Sequence, residues 1–63
     1  MKIRIKTYNG ELPSYLTVGK IYQVERLDAS KTCAVITHDD GEKIVTNLHK
    51  SGYLNGGSWE VVE

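Results

Sequence analysis

The chain opens with a strict alternation of apolar and charged residues. Ile3 and Ile5 alternate with Lys2, Arg4 and Lys6. A period of two places successive side chains on opposite faces of a strand, so one face is apolar and the other is charged. The pattern predicts a first strand with Ile3 and Ile5 in a core.

Four further segments have the composition of strands. Tyr22 and Val24 are predicted to point inward in the second strand. Asp40-Gly41 stands between the third and fourth strands and predicts a tight type I′ hairpin, in which both turn residues have positive φ. The predicted strands after the first cover residues 20–28, 32–38, 42–46 and 59–62.

The remaining segments are irregular. Residues 8–17 contain Asn9-Gly10 and Pro13, which predict a long loop. Residues 47–52 can form one helical turn before the last strand, with Asn47 as its N-cap and Gly52 as its left-handed stop. Residues 55–58 form a second flexible loop.

Composition supports an all-β fold. Val, Ile, Thr, Tyr and Trp occupy 21 of 63 positions, whereas Ala occupies two. We expect residues 1–63 to form a single domain, a small five-stranded barrel that is closed or nearly closed, because closure hides the edges of a small sheet. Area scaling predicts about 4,000 Å² of surface for the folded chain and therefore a thin core. Cys33 has no second cysteine with which to form an intramolecular disulfide.

Charge and hydropathy restrict the class of protein. The formal net charge is zero, which disfavours nucleic acid as a partner. The sequence has no apolar run of membrane-spanning length, and its first residues do not resemble a signal peptide. The lone cysteine agrees with a reducing compartment. We therefore expect a cytoplasmic protein that does not bind membranes.

Three strings carry a resemblance to a known class of proteins. They are residues 16–24 (LTVGKIYQV), residues 39–42 (DDGE) and residues 59–63 (WEVVE). Together they resemble small SH3-like barrel proteins that phages and prophages encode, most of which have no assigned role. The resemblance covers nearly the whole chain and implies an SH3-like barrel in a bacterial host cell.

The peptide groove of eukaryotic SH3 domains is not reproduced. Those domains carry Pro and Tyr before the last strand, where this chain resembles them only as residues 44–48 (IVTNL). Residues 29–33 also lack the groove tryptophan. The resemblance therefore implies the fold without recognition of polyproline.

Neither metal binding nor catalysis is predicted. Cys33, His38, Asp39, Asp40 and His49 include zinc ligand types, but they lack the spacing of a tetrahedral site. A barrel filled by its own side chains has no pocket for a catalytic group. We expect no cofactor and no enzymatic activity.

Aromatic and basic residues supply two alternative binding surfaces. Tyr8, Tyr15 and Tyr53 fall in loops and, with Trp59 at the start of the last strand, are candidate contacts for a protein partner. An equally open alternative is that each aromatic side chain covers one end of the barrel.

Lys2, Arg4 and Lys6 could instead follow a phosphate backbone. The first and last strands of an SH3-like barrel pair antiparallel, so Glu60 and Glu63 are predicted to lie beside these cations as cross-strand partners.

The sequence thus predicts a non-enzymatic module, a phage or prophage accessory protein that binds a host or phage protein through loop aromatics. Weak nucleic-acid binding and self-association through an exposed strand edge are the alternatives. A monomer or a weak homodimer is expected.

Overall fold

Five antiparallel strands form one sheet in the computed structural model, which describes residues 1–63. The sheet order is β4-β3-β2-β1-β5, and β1 pairs antiparallel with β5 as predicted. The all-β fold and all five predicted strands are confirmed. The strands are β1 (Lys2–Thr7), β2 (Tyr22–Leu27), β3 (Cys33–Thr37), β4 (Lys43–Asn47) and β5 (Ser58–Val61).

Alternation along the strands places the core on one face of the sheet. Ile3 is fully buried and Ile5 nearly so, and Tyr22 and Val24 point inward from β2 as predicted. The core is completed by apolar side chains from the other strands and the connections: Leu16, Ala34, Ile36, Leu48, Leu54 and Trp59. The accessible surface is 3963 Å², which agrees with the area expected from chain length.

Of the two predicted forms, closed and nearly closed, the closed barrel is wrong, because β4 and β5 are the two edges of an open sheet. One backbone hydrogen bond, from the Trp59 N–H to the Leu48 carbonyl at 2.8 Å, joins the end of β4 to β5. The sheet therefore curls around its core and leaves the edge of β4 without a neighbouring strand.

Two irregularities in strand pairing accompany this curl. The register between β1 and β5 shifts between Ile5 and Thr7, and the register between β2 and β3 shifts between Val24 and Arg26. An extra residue on one strand bends that strand and increases its twist. The bends allow so short a sheet to wrap a core.

The β3–β4 hairpin differs from its predicted form. Gly41 has a φ of 88°, but Asp40 has no positive φ, so the turn is not type I′. The Gly41 N–H donates to the His38 carbonyl, and the His38 N–H donates to the Glu42 carbonyl, both at 2.9 Å. These bonds define a three-residue loop whose last residue is left-handed, the commonest hairpin after the two-residue forms.

The single helical turn before β5 lies further along the chain than predicted. It is a 3-10 turn at Gly52–Leu54, preceded by Ser51 and ended by Asn55, whose φ is 55°. Gly52 therefore begins the turn instead of ending it, because Asn55 supplies the left-handed residue. Asn47 does not cap this turn. Its side-chain oxygen accepts the N–H groups of the two residues at positions 49 and 50, which makes a local turn after β4.

Candidate functional site

Three aromatic rings from three separate segments meet at one end of the sheet. The Tyr15 and His38 ring centroids lie 4.4 Å apart with a tilted geometry. Tyr15 and Tyr53 meet edge to face at 6.4 Å. We call Tyr15, His38 and Tyr53 the aromatic cluster. Two of the predicted contact residues, Tyr15 and Tyr53, therefore pack against each other.

The elements of the fold explain how each ring reaches the cluster. His38 continues the inward face of β3 after Ala34 and Ile36, and it is 8% exposed. The β1–β2 connection (residues 8–21) carries Tyr15, whose carbonyl accepts the Asp39 N–H at 3.0 Å. The 3-10 turn carries Tyr53. Both tyrosines are partly buried, so their rings pack on the core while part of each remains accessible.

The imidazole of His38 is held by the hairpin that it begins. Its Nδ1 atom accepts the backbone N–H of Asp40 at 3.1 Å. The bond therefore sets the ring orientation against Tyr15.

Asp39 fastens the β1–β2 connection to the β3–β4 hairpin. Its carboxylate accepts the Thr17 hydroxyl at 2.6 Å and the Tyr22 hydroxyl at 3.1 Å, and it forms an ion pair with Lys20. The Thr17 N–H donates in turn to the Tyr22 oxygen at 2.8 Å. The hydrogen bond from Lys20, followed by that from Thr17, lowers the pKa of Asp39 to about 2. The same contact with Asp39 raises the pKa of Lys20.

A pair of asparagines fastens the other side of the same connection. The Asn9 amide donates to the Asn55 carbonyl, and the Asn55 amide donates to the carbonyls of Asn9 and Glu11. The Asn9 N–H also donates to the Leu54 carbonyl at 3.1 Å. The two segments that carry Tyr15 and Tyr53 are thus bonded to each other through backbone and side chains.

The other two predicted contact residues lie in different surroundings. Tyr8 follows β1, is 47% exposed and forms no aromatic pair. Trp59 is a core residue with 5% exposure. Its ring meets Tyr22 edge to face at 5.7 Å, and its indole N–H donates to the Thr46 hydroxyl at 3.0 Å. The Trp59 side chain therefore supports the sheet from inside.

The predicted glutamate partners are confirmed for Lys2 and Arg4, two of the three basic residues in β1. Lys2 forms an ion pair with Glu63 at 3.2 Å, and Arg4 forms one with Glu60 at 3.0 Å. These acidic neighbours reduce the positive potential that a phosphate backbone would meet.

The rest of the surface has one depression and no cluster of metal-ligand side chains. No three His, Cys, Asp or Glu side chains converge as a metal site would require. One open depression is lined by Glu25, Arg26, Val35 and Lys43, with Glu25 and Lys43 in an ion pair at 2.8 Å. The protein has no helix with the length and apolarity needed to cross a membrane.

Comparison of the chain with protein families, with curated proteins and with solved structures finds no match.

The sequence did not predict that His38, Asn55 and Asp39 belong to the candidate site. The inward position of His38 follows from the period of two along β3, so the pattern did contain that signal. Asn55 precedes two glycines and tolerates a left-handed backbone. This pattern predicts a turn, but it does not predict which residues the Asn55 side chain binds. No local signal links Asp39 to Thr17 or Lys20, because these contacts depend on the packing of two distant loops.

Proposed function

We propose that the protein is a non-enzymatic binding module that docks on a protein partner through Tyr8, Tyr15 and Tyr53. The observation that carries the proposal is the meeting of Tyr15 and Tyr53 beside His38, from three separate segments. Tyrosine provides a large contact area with few rotatable bonds, which favours its use in recognition surfaces.

Preorganisation of this surface supports the proposal. The β1–β2 connection is held by the carboxylate of Asp39 on one side and by the Asn9–Asn55 amide pair on the other. A loop that is already ordered loses less conformational entropy when a partner binds. Tyr8 and Tyr15 therefore lie on a long loop that has little conformational entropy left to lose on binding.

The biological setting that we propose comes from the resemblance of the sequence to phage and prophage SH3-like proteins. In this setting the module is an accessory protein in the cytoplasm of a bacterial host cell. Its partner is a host or phage protein.

Pull-down from bacterial lysate after nuclease treatment tests the proposal. A variant with Tyr8, Tyr15 and Tyr53 changed to Ala is expected to lose a partner that the parent protein retains. The matched control changes Val18, Ile21 and Val61 to Ala, since these side chains are 53%, 51% and 55% exposed and lie outside the aromatic cluster. The control is expected to retain the partner.

The single variant Tyr8→Ala separates binding from folding. Because Tyr8 is exposed and forms no aromatic pair, this change is expected to alter stability by less than about 0.5 kcal/mol. Weakened capture by this folded variant supports a contact role. If the triple variant retains every partner, or unfolds while Tyr8→Ala binds as the parent does, the tyrosines are structural.

A further inference from the structure

β4 is one of the two edge strands of the sheet, and its outer side pairs with no other strand. β4 ends the sheet order, and its middle residue, Val45, is 61% exposed. An uncovered edge presents backbone donors and acceptors that can pair with another strand. Val45 is the most exposed large apolar residue in the protein.

The ladder with β3 shows which backbone groups of β4 face outward. The His38 N–H donates to the Glu42 carbonyl, and the Leu48 N–H donates to the Thr32 carbonyl. Hydrogen-bonded residues alternate along an antiparallel pair, so the even-numbered residues of β4 bond to β3. The N–H and C=O groups of Lys43, Val45 and Asn47 therefore point away from β3, and the Asn47 carbonyl also accepts the Thr46 hydroxyl at 3.3 Å.

Charge is distributed unequally along this edge. Asp40 and Glu42 are exposed at the beginning of β4, and His49 and Lys50 are exposed just beyond its end. Antiparallel pairing of two copies places the acidic end of one strand beside the basic end of the other, twice by symmetry. Parallel pairing would bring like charges together.

From these observations we propose that two copies of the chain pair antiparallel through their β4 edges, with Val45 opposite Val45 of the second copy. In this register Lys43 lies opposite Asn47 of the second copy. Each of the three β4 residues whose backbone groups point away from β3 then faces a residue of the second copy. Val35 lies beside Val45 in the β3–β4 register. The dimer therefore has a continuous row of four valines on its outer face.

Lys43 does not oppose this pairing, although a lysine on an edge strand usually discourages it. Its ammonium is bound to Glu25 at 2.8 Å, and the residue facing it in the dimer is a neutral asparagine. The contact is one strand wide, which places it among small interfaces that dissociate readily. We therefore expect a weak homodimer, whose interface does not include the aromatic cluster.

Sedimentation equilibrium of the purified protein from about 10 μM to about 1 mM covers the range expected for so small an interface. The parent is expected to pass from monomer to dimer. Val45→Lys is expected to raise the dimer Kd at least about tenfold, since it places like charges opposite each other. Val61→Lys on β5, with similar exposure, is the matched control and is expected to leave the Kd unchanged.

Charge exchange tests the antiparallel register. Asp40→Lys and Lys50→Asp are each expected to weaken the dimer about threefold, and the double variant is expected to recover the parent Kd. The proposal is overturned if the parent stays monomeric at every concentration. It is equally overturned if Val45→Lys dimerises as the parent does, or if the double variant is weaker than both single variants.

Discussion

Gly57 lies where the backbone of the β4–β5 connection passes close to the end of β1. A Cβ atom at this position would lie 2.0 Å from the carbonyl oxygen of Thr7 and 2.7 Å from the Cα of Tyr8. Those neighbours are backbone atoms of β1 and its end, so they cannot rotate away as a side chain could. The absence of a side chain at Gly57 allows the β4–β5 connection to lie against β1.

Gly57→Ala is therefore expected to destabilise the protein by about 3 kcal/mol or more, near the whole stability of a domain of this size. Denaturant unfolding followed by circular dichroism measures the loss. Gly52→Ala is the control, because no atom lies within 4 Å of its Cβ position and its φ is not positive. The close approach is refuted if the two variants have equal stability.

Asp39 is the second residue whose role is individual. Its pKa falls from 3.8 to about 2 because the ionised carboxylate accepts bonds from Lys20 and Thr17. A carboxyl group with a lowered folded-state pKa stabilises the fold above its unfolded pKa. That contribution disappears as pH falls through the folded value.

Stability is thus expected to decrease as pH falls from about 4 to about 2. Lowered pKa values at Asp28, bound by the Cys33 N–H, and at Glu25, bound by Lys43, act in the same direction. Asp39→Asn should be less stable than the parent at neutral pH, with the difference shrinking toward pH 2. Urea unfolding of both proteins at several pH values in this range measures the difference in their free energy of unfolding. A difference that stays constant with pH would contradict the assignment to Asp39.

At the scale of elements, the hairpins show how a turn residue selects a connection. Gly41 provides the left-handed backbone that ends the β3–β4 loop. In the β2–β3 turn Lys31 has a φ of 60° although it carries a side chain. The carboxylate of Asp28 holds that turn by accepting the N–H groups of Thr32 and Cys33. One hairpin depends on glycine, whereas the other depends on an aspartate.

Gly41→Ala is expected to lower the stability of the protein by about 1 kcal/mol, because alanine is strained at a positive φ. Gly41→Asn should lose less, since asparagine adopts this conformation more readily. No atom lies within 4 Å of the Cβ position, so the two variants differ in backbone preference and not in packing. Thermal unfolding compares them. An unchanged melting temperature for Gly41→Ala would mean that the hairpin has another form.

At the scale of the whole molecule, the charges are balanced, and four of the eight Lys and Arg side chains form ion pairs. The net charge is zero, and two of the three cations of β1 are bound to glutamates of the last segment. Affinity for a phosphate backbone comes largely from the release of condensed counterions by unpaired basic side chains. The surface offers little of this driving force.

The protein is therefore expected not to bind duplex DNA tightly at physiological salt. Fluorescence anisotropy with a labelled duplex over a range of salt concentrations tests this expectation. The matched variant Glu60→Gln with Glu63→Gln frees Lys2 and Arg4 and should bind more tightly than the parent. Submicromolar binding by the parent with a steep salt slope, lost when Lys2, Arg4 and Lys6 become Gln, would make nucleic acid the ligand.

Local sequence determined which segments are strands and which residues face the core. The alternation around Ile3 and Ile5, and the inward placement of Tyr22 and Val24, needed only neighbours along the chain, because a strand turns successive side chains to opposite faces. Pairing of β1 with β5 and the ion pairs of Lys2 and Arg4 were predicted once the SH3-like resemblance was added.

Tertiary structure alone decided the rest. The contact of Tyr15 with Tyr53 and the bonds of Asp39 join residues far apart in sequence, and the open edge at β4 depends on the order of all five strands. Such contacts depend on how two connections of irregular backbone pack against one another. Their geometry leaves no periodic pattern in the chain, which is why the sequence predicted the strands of this protein but not the arrangement of its surface.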